Sequence, residues 1–153
     1  MKNTIDPIVI ETDHFFFKTP NGWQTENLGD EAELIGPNEE FMVISSYHIN
    51  NDSSQDEQTA FRENICNAMV AASEDSELIV NQALKKEVTP SGLPVWKLLS
   101  QTSDNEAFFD QYLAIENTVA VVITIEGDLE NRSSSALVEE SVYCIDFKLN
   151  SAI

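Results

Sequence analysis

The chain contains 153 residues, with 27 Asp and Glu against 8 Lys and Arg, so its formal net charge at pH 7 is −19. Its length fits a single domain, and its hydrophobic content of 42% is ordinary for a globular protein. The negative charge repels the phosphates of nucleic acids and anionic lipids, and therefore argues against direct binding to either. It would attract and steer a basic protein, although the same charge also fits a role in solubility alone.

Three segments in the first third of the chain predict strands. Phe15–Lys18 is a short aromatic run that ends at the turn Thr19–Gly22, and Glu31–Ile35 is a weaker strand. Glu40–His48 is the first strong strand signal. Alternation divides this strand into two faces, with Phe41, Val43, Ser45 and Tyr47 on one, and Met42, Ile44, Ser46 and His48 on the other.

An amphipathic helix is predicted from about 55 to 72. Ser54 and Glu57 have the spacing of a capping box at its start. Apolar residues then recur at helical spacing, and the opposite side is polar. The apolar positions are Phe61, Ile65, Ala68, Met69 and Ala72, and the polar positions are Asp56, Glu57, Glu63 and Asn67.

The second half of the chain predicts four strands and a final helix. The strands are Glu77–Glu87, Val95–Thr102, Glu106–Ile115 and Val119–Glu126. The last of them is rich in β-branched residues and apolar on both faces at its centre, which indicates a central strand. A helix from about Ser135 to Cys144 or Phe147 follows, with a short extended piece at Phe147–Leu149. The predicted order is therefore β-β-β-α-β-β-β-β-α.

Strands joined by tight turns predict an antiparallel sheet, and two amphipathic helices can cover it. We therefore predict an α+β fold in which an antiparallel sheet of about six strands packs with two main α-helices. The prediction assigns residues 1–153 to one domain, with its core at about 13–148.

Four local patterns in this order resemble the PsbP-like superfamily, also called DcrB-like, over about residues 13–148. They are Phe15–Phe17 with Pro20–Trp23, Phe41–Ser45 before the capped helix, Ser91–Pro94 leading into Val95–Ser100, and the pair Phe108–Ile115 and Val119–Glu126. The resemblance is one of pattern rather than of diagnostic residues. It implies an accessory or binding protein without catalysis, because the superfamily includes photosystem subunits, a Ran-binding nuclear import factor, periplasmic lipoproteins and type VI secretion effector chaperones.

The resemblance points to the effector-chaperone branch, because no signal peptide or membrane span is visible in the sequence. We accordingly expect a cytoplasmic bacterial protein. The acidity exceeds what a chaperone role implies, and it suits an immunity protein that neutralises a basic toxin. No motif carries the partner contacts of the family onto particular residues of this chain.

The sequence offers few residues for catalysis or metal binding. His14 and His48 are the only histidines, and neither lies in a recognisable catalytic or metal-binding motif. Cys66 and Cys144 fall in apolar helical patterns, which predicts small buried thiols rather than a disulfide. The acidic turns at 104–106 and 128–131 lack the spacing of a calcium loop. We therefore predict no enzyme activity, no metal and no cofactor.

Aromatic residues on the strands are the candidates for a partner-binding surface. Two helices of this length are short relative to the width of a sheet of five or more strands. An aromatic patch that they left uncovered would be an interaction surface. The candidates are Tyr47, Trp96, Phe108 and Tyr112. The sequence leaves open which strand faces are exposed, and burial of all four in the core is the alternative.

These observations predict a non-enzymatic, acidic protein-binding module, associated with type VI secretion either as an immunity protein or as an effector chaperone. Its partner would be a basic toxin or a secreted effector, with no nucleic acid and no membrane, and a homodimer is possible. The alternative is a small-ligand-binding or stress-accessory domain, with the ligand in a groove between sheet and helix.

Overall fold

The computed structural model describes residues 6–75 and 77–148, which form ten strands, two α-helices and one short 3₁₀ helix. In chain order these elements are β1 (Val9–Glu11), β2 (Phe15–Lys18), β3 (Gln24–Leu28), β4 (Ala32–Ile35), β5 (Phe41–His48), α1 (Gln55–Asp75), β6 (Ile79–Val88), β7 (Pro94–Gln101), β8 (Ala107–Glu116), β9 (Val119–Asp128), the 3₁₀ helix Leu129–Asn131, α2 (Ser133–Tyr143) and β10 (Asp146–Phe147).

The strands form two separate sheets. The larger sheet has seven strands in the order β3-β4-β5-β9-β8-β7-β6, and every neighbouring pair is antiparallel. The smaller sheet has three strands in the order β1-β2-β10 and is also antiparallel. Strand β9 occupies the centre of the larger sheet, which confirms the prediction made from its β-branched, doubly apolar sequence.

One face of the larger sheet packs against the smaller sheet and α2. This layer holds the main core, to which β2 contributes Phe15 and Phe17 and α2 contributes Val138 and Val142. Trp23, which follows the first turn, is also buried in it. Burial of these large apolar side chains is the main stabilising term, at about 1.5–3 kcal/mol for each fully buried side chain.

The opposite face packs against α1. Met69 of α1 is buried in a second cluster with Trp96, Leu98 and Leu113 of the sheet. The side-chain amide of Gln111 donates a hydrogen bond to the carbonyl oxygen of Met69 at 3.0 Å. The capping box at the start of α1 is confirmed, because Ser54 and Glu57 exchange backbone-to-side-chain hydrogen bonds of 3.1 Å.

The predicted α+β fold is confirmed, and the differences concern strand number and element ends. Six of the predicted strands are β4 to β9 of the larger sheet, whereas Phe15–Lys18 belongs to the smaller one. Strands β1 and β3 were not predicted, because β1 has three residues and every residue of β3 is exposed. Helix α1 extends to Asp75, and α2 runs from Ser133 to Tyr143. Of the predicted final extended piece, Leu149 lies outside the described residues.

Candidate partner-binding surface

Helix α1 leaves part of its sheet face uncovered. The apolar cluster beneath it involves β7, β8 and β9, and it contains no residue of β4 or β5. Strand β5 carries apolar side chains on this face, because alternation places Phe41, Val43 and Tyr47 opposite Met42 and Ile44, which point into the main core. The β4–β5 side of the face is therefore only partly buried.

We call this surface the apolar strip, which consists of Ile35, Phe41, Val43, Tyr47 and Phe109, with Val122 at its border, where that side chain packs against the cluster beneath α1. Each of these residues is half-buried except Tyr47, which is 48% exposed. The strand register places the strip across four strands, because Phe41 pairs with Ile35 on one side and with Glu126 on the other. Glu126 in turn pairs with Phe109 on β8, so a carboxylate lies between the two phenyl rings along this row.

A groove of about 370 Å³ opens where the apolar strip meets α1. Phe61, Ile65 and Met69 line it from the helix, and Tyr47 and Val122 line it from the sheet. Its walls are mostly apolar, and such a groove can accept an apolar side chain from a partner, as the pockets that hold interface anchors do.

The charges around the apolar strip are all negative on the sheet. Strands β4, β5, β8 and β9 contain no Lys or Arg. Alternation places Glu33, Glu126 and Asp128 on the strip side of these strands. The carboxylate of Glu31 accepts a hydrogen bond from the hydroxyl of Ser45, which lies in the same face of β5 as the strip. The surface therefore combines apolar side chains with an acidic border.

Of the four aromatic residues proposed from the sequence, only Tyr47 lies on this surface. Trp96 is buried under α1, and the ammonium of Lys86 lies 5.5 Å from its ring centroid. Phe108 and Tyr112 point to the opposite face and belong to the main core. The hydroxyl of Tyr112 is hydrogen-bonded to that of Ser135 at 2.6 Å. The structure therefore corrects these three assignments, since a buried side chain offers no surface to a partner.

The remaining members of the strip were within reach of the sequence pattern. The alternation of β5 groups Phe41 and Val43 with Tyr47 on one face. Phe109 belongs to the face of β8 opposite Phe108, and nothing in the sequence indicates which of the two adjacent phenylalanines is buried, because β8 is apolar on both faces.

A polar cluster fixes α2 to β6 and β7. The ammonium of Lys97 lies 2.6 Å from the Glu139 carboxylate and 3.6 Å from that of Glu87. The hydroxyl of Tyr143 donates a hydrogen bond to the Glu87 carboxylate and lies 3.2 Å from the carboxylate of Glu139. That hydrogen bond from Tyr143, together with the charges of Lys97 and Lys85, lowers the pKa of Glu87, whereas burial raises the pKa of Tyr143. Burial would lower the pKa of Lys97, but the two carboxylates outweigh it and raise the pKa.

The two histidines lie next to each other, although they are distant in sequence. The rings of His14 and His48 are 4.7 Å apart between centroids and tilted by 36°. In residues 6–75 and 77–148, no three His, Cys, Asp or Glu side chains come together in a group that could hold a metal ion.

The two cysteines differ in environment. Cys66 lies on α1, where it is half-buried against the second cluster, and burial raises the pKa of its thiol. Cys144 is exposed, which corrects the prediction of a buried thiol, because α2 ends at Tyr143 and Cys144 occupies the C-cap position.

Comparisons with known proteins support the fold. No protein-family model and no curated protein matches the sequence. The structure is similar to that of cyanobacterial PsbP (CyanoP) from Synechocystis sp. PCC 6803, with a TM-score of 0.63, 10% sequence identity, and coverage of 94% of this chain and 93% of that one. A crystal structure from Bacteroides thetaiotaomicron VPI-5482 gives a TM-score of 0.47 at 13% identity and covers 89% of this chain and 46% of that one.

The chain therefore has a PsbP-like α+β fold, as the sequence pattern predicted. Within the part of the chain that the structure describes, neither helix is long and apolar enough to cross a membrane.

Proposed function

We propose that this chain is a non-enzymatic protein-binding module whose apolar strip docks a basic protein partner. The observation that carries the proposal is a half-covered apolar surface, with Tyr47 exposed, on four strands that contain no cationic residue. Apolar side chains bordered by charges of one sign are typical of a surface that buries an anchor and selects an oppositely charged partner.

The two parts of the surface would act at different stages of binding. The carboxylates and the net charge of −19 would accelerate the encounter with a basic protein, in a manner that salt weakens. The apolar strip and the groove beside α1 would then hold an apolar side chain of the partner out of water. Tyr47 is the natural anchor, because exposed tyrosines at interface centres often contribute about 2 kcal/mol or more on truncation.

For the biological setting we propose a cytoplasmic accessory protein of bacterial type VI secretion, in keeping with the superfamily resemblance of the sequence. A basic toxin as the partner would make the chain an immunity protein, and an effector with an apolar segment would make it a chaperone. The acidic border favours the immunity role, because a chaperone that binds apolar segments gains little affinity from negative charge around its binding surface. A homodimer through the same strip would be opposed by the negative charge of each copy.

The test is a comparison of variants in capture and in titration. The tagged wild-type chain, Tyr47→Ala and Leu137→Ala would be used to capture proteins from a bacterial lysate at low and at high salt. Leu137 is the control, since it is also an exposed apolar residue but lies on α2, away from the strip. The captured protein would then be purified and titrated against each variant.

We expect one basic partner that the wild type and Leu137→Ala bind equally, that Tyr47→Ala binds about 30-fold more weakly, and that high salt releases. A partner that kills cells when expressed alone and is silenced by co-expression identifies immunity. Capture that resists salt and depends on an apolar segment of the partner identifies chaperoning. Equal binding by Tyr47→Ala and the wild type contradicts the proposal.

A further inference from the structure

A second site lies away from the apolar strip, at one end of the larger sheet. It is a cavity of about 670 Å³, within the range of about 300–1,000 Å³ that small-ligand sites occupy. Its walls come from the start of α1, the β6–β7 turn, the β8–β9 turn and the segment that follows α2. Four stretches that are distant in sequence thus converge on one space.

Opposite charges line this cavity without pairing. Arg62 is half-buried and faces it from α1, whereas Glu116, the last residue of β8, and Asp146, on β10, line it as exposed side chains. Among residues 6–75 and 77–148, none of the three side chains forms a salt bridge within 4.0 Å or a side-chain hydrogen bond. The cavity therefore separates an unpaired guanidinium from two unpaired carboxylates. An unpaired guanidinium is notable in a chain with only 8 Lys and Arg, because acidic side chains greatly outnumber its cations.

The rest of the lining is apolar or neutral. Leu93 and Phe147 are half-buried and supply apolar surface, whereas Ile115 and Ile145 are each only 7% exposed. Gln55, Thr59 and Asn117 add neutral hydrogen-bonding groups. The cavity therefore combines apolar side chains with charged and neutral polar groups, which together can orient a small ligand.

We propose that this cavity binds a zwitterion with an apolar body, namely an apolar amino acid or a short apolar peptide with free ends. Arg62 would bind the carboxylate as a fork of N–H donors, and Glu116 and Asp146 would bind the ammonium. A simple anion is disfavoured by the two carboxylates, and a simple cation by the guanidinium. The amino acid and the peptide share this chemistry and differ in length.

The test uses titrations followed by backbone amide NMR of the full chain. The probes are L-leucine, L-leucyl-L-leucine, and leucine blocked at the amine, at the carboxylate or at both ends. We expect an unblocked probe to shift the amide signals of Gly92, Asn117 and other residues around the cavity, and we expect each block to weaken binding about tenfold or more. Leucine as the better probe identifies a free amino acid, and the dipeptide as the better probe identifies a peptide.

Variants assign the two ends of the ligand. Arg62→Gln should weaken an unblocked probe about tenfold and leave the carboxylate-blocked probe unchanged. Asp146→Asn should weaken an unblocked probe about tenfold and leave the amine-blocked probe unchanged. It serves as a second test if Arg62→Gln fails to fold. Lys18→Gln removes one positive charge from an exposed position of β2 outside the cavity and should change nothing.

No amide shift around the cavity at millimolar probe would overturn the proposal, and so would equal binding of the probe blocked at both ends. Loss of binding in Lys18→Gln would also overturn it, since the effect would then come from net charge. These outcomes are independent of the apolar strip, because Tyr47 does not line this cavity.

Discussion

Arg132 and Asp110 form an ion pair that joins the start of α2 to strand β8. The guanidinium lies 2.7 Å from the carboxylate of Asp110, which is only 1% exposed. The same carboxylate accepts a hydrogen bond from the backbone N–H of Ser100, and Arg132 also donates to the carbonyl oxygen of Ser100. Among the described residues, Arg132 is the only cation that pairs with Asp110, and it lies where the chain enters α2.

Arg132→Gln should destabilise the protein by about 3 kcal/mol, because it leaves the buried carboxylate of Asp110 without a compensating charge. The double variant Arg132→Gln with Asp110→Asn should recover part of this loss, since no charge is then buried. Urea unfolding of both variants measures the effect. Lys18→Gln, an exposed charge removal, is the control and should change the free energy of unfolding by less than about 0.5 kcal/mol. A loss of less than about 0.5 kcal/mol for Arg132→Gln would contradict its role in compensating the charge of Asp110.

The sequence was sufficient for the fold where its patterns were unambiguous. The β-branched, doubly apolar run Val119–Glu126 predicted the central strand, and the capping box at Ser54 predicted the start of α1. Strand β3 gave no such pattern, because it is a fully exposed strand at the edge of the larger sheet, where it pairs with β4. Edge strands have no apolar periodicity when neither face is buried.

The candidate sites were only partly predictable for a related reason. The alternation of β5 grouped Phe41 and Val43 with Tyr47, of which only Tyr47 was proposed as a site residue. Strand β8 is apolar on both faces, so Phe108 and Tyr112 could not be separated from Phe109. The cavity depends on Arg62, Glu116 and Asp146, whose proximity arises from the tertiary packing of separate elements. No spacing rule in the sequence relates residues that far apart.

Tyr112→Phe should destabilise the protein by about 1–2 kcal/mol. It removes the hydrogen bond to Ser135 and leaves a buried hydroxyl on α2 without that partner. Tyr47→Phe makes the same chemical change on an exposed side chain and should be neutral. Thermal or urea unfolding of the two variants gives the comparison, and equal stabilities would show that the Tyr112 hydroxyl does not help to hold α2 on the sheet.

The cluster around Glu87 should make part of the stability dependent on pH. The pKa of Glu87 is lowered from its ordinary value of 4.5, first by the hydrogen bond from Tyr143 and then by Lys97 and Lys85. Its contribution is therefore complete above about pH 4.5 and is lost as the pH falls through the lower folded-state value. The stability difference between wild type and Glu87→Gln should shrink over that range. A difference that stays constant as the pH falls through that range would contradict the linkage.

Gly36 lies in the turn before β5, where a side chain has no room. A Cβ atom there would lie 2.7 Å from a carboxylate oxygen of Glu40 and 2.9 Å from the ring of Trp23, and both residues are fully buried. Gly36→Ala should therefore cost about 1–3 kcal/mol through overpacking. Gly29→Ala is the matched control, because the nearest atom to its Cβ would be 4.0 Å away, on the side chain of Asn27. Urea unfolding should separate the two variants, and equal stability would mean that Trp23 and Glu40 can move aside without loss.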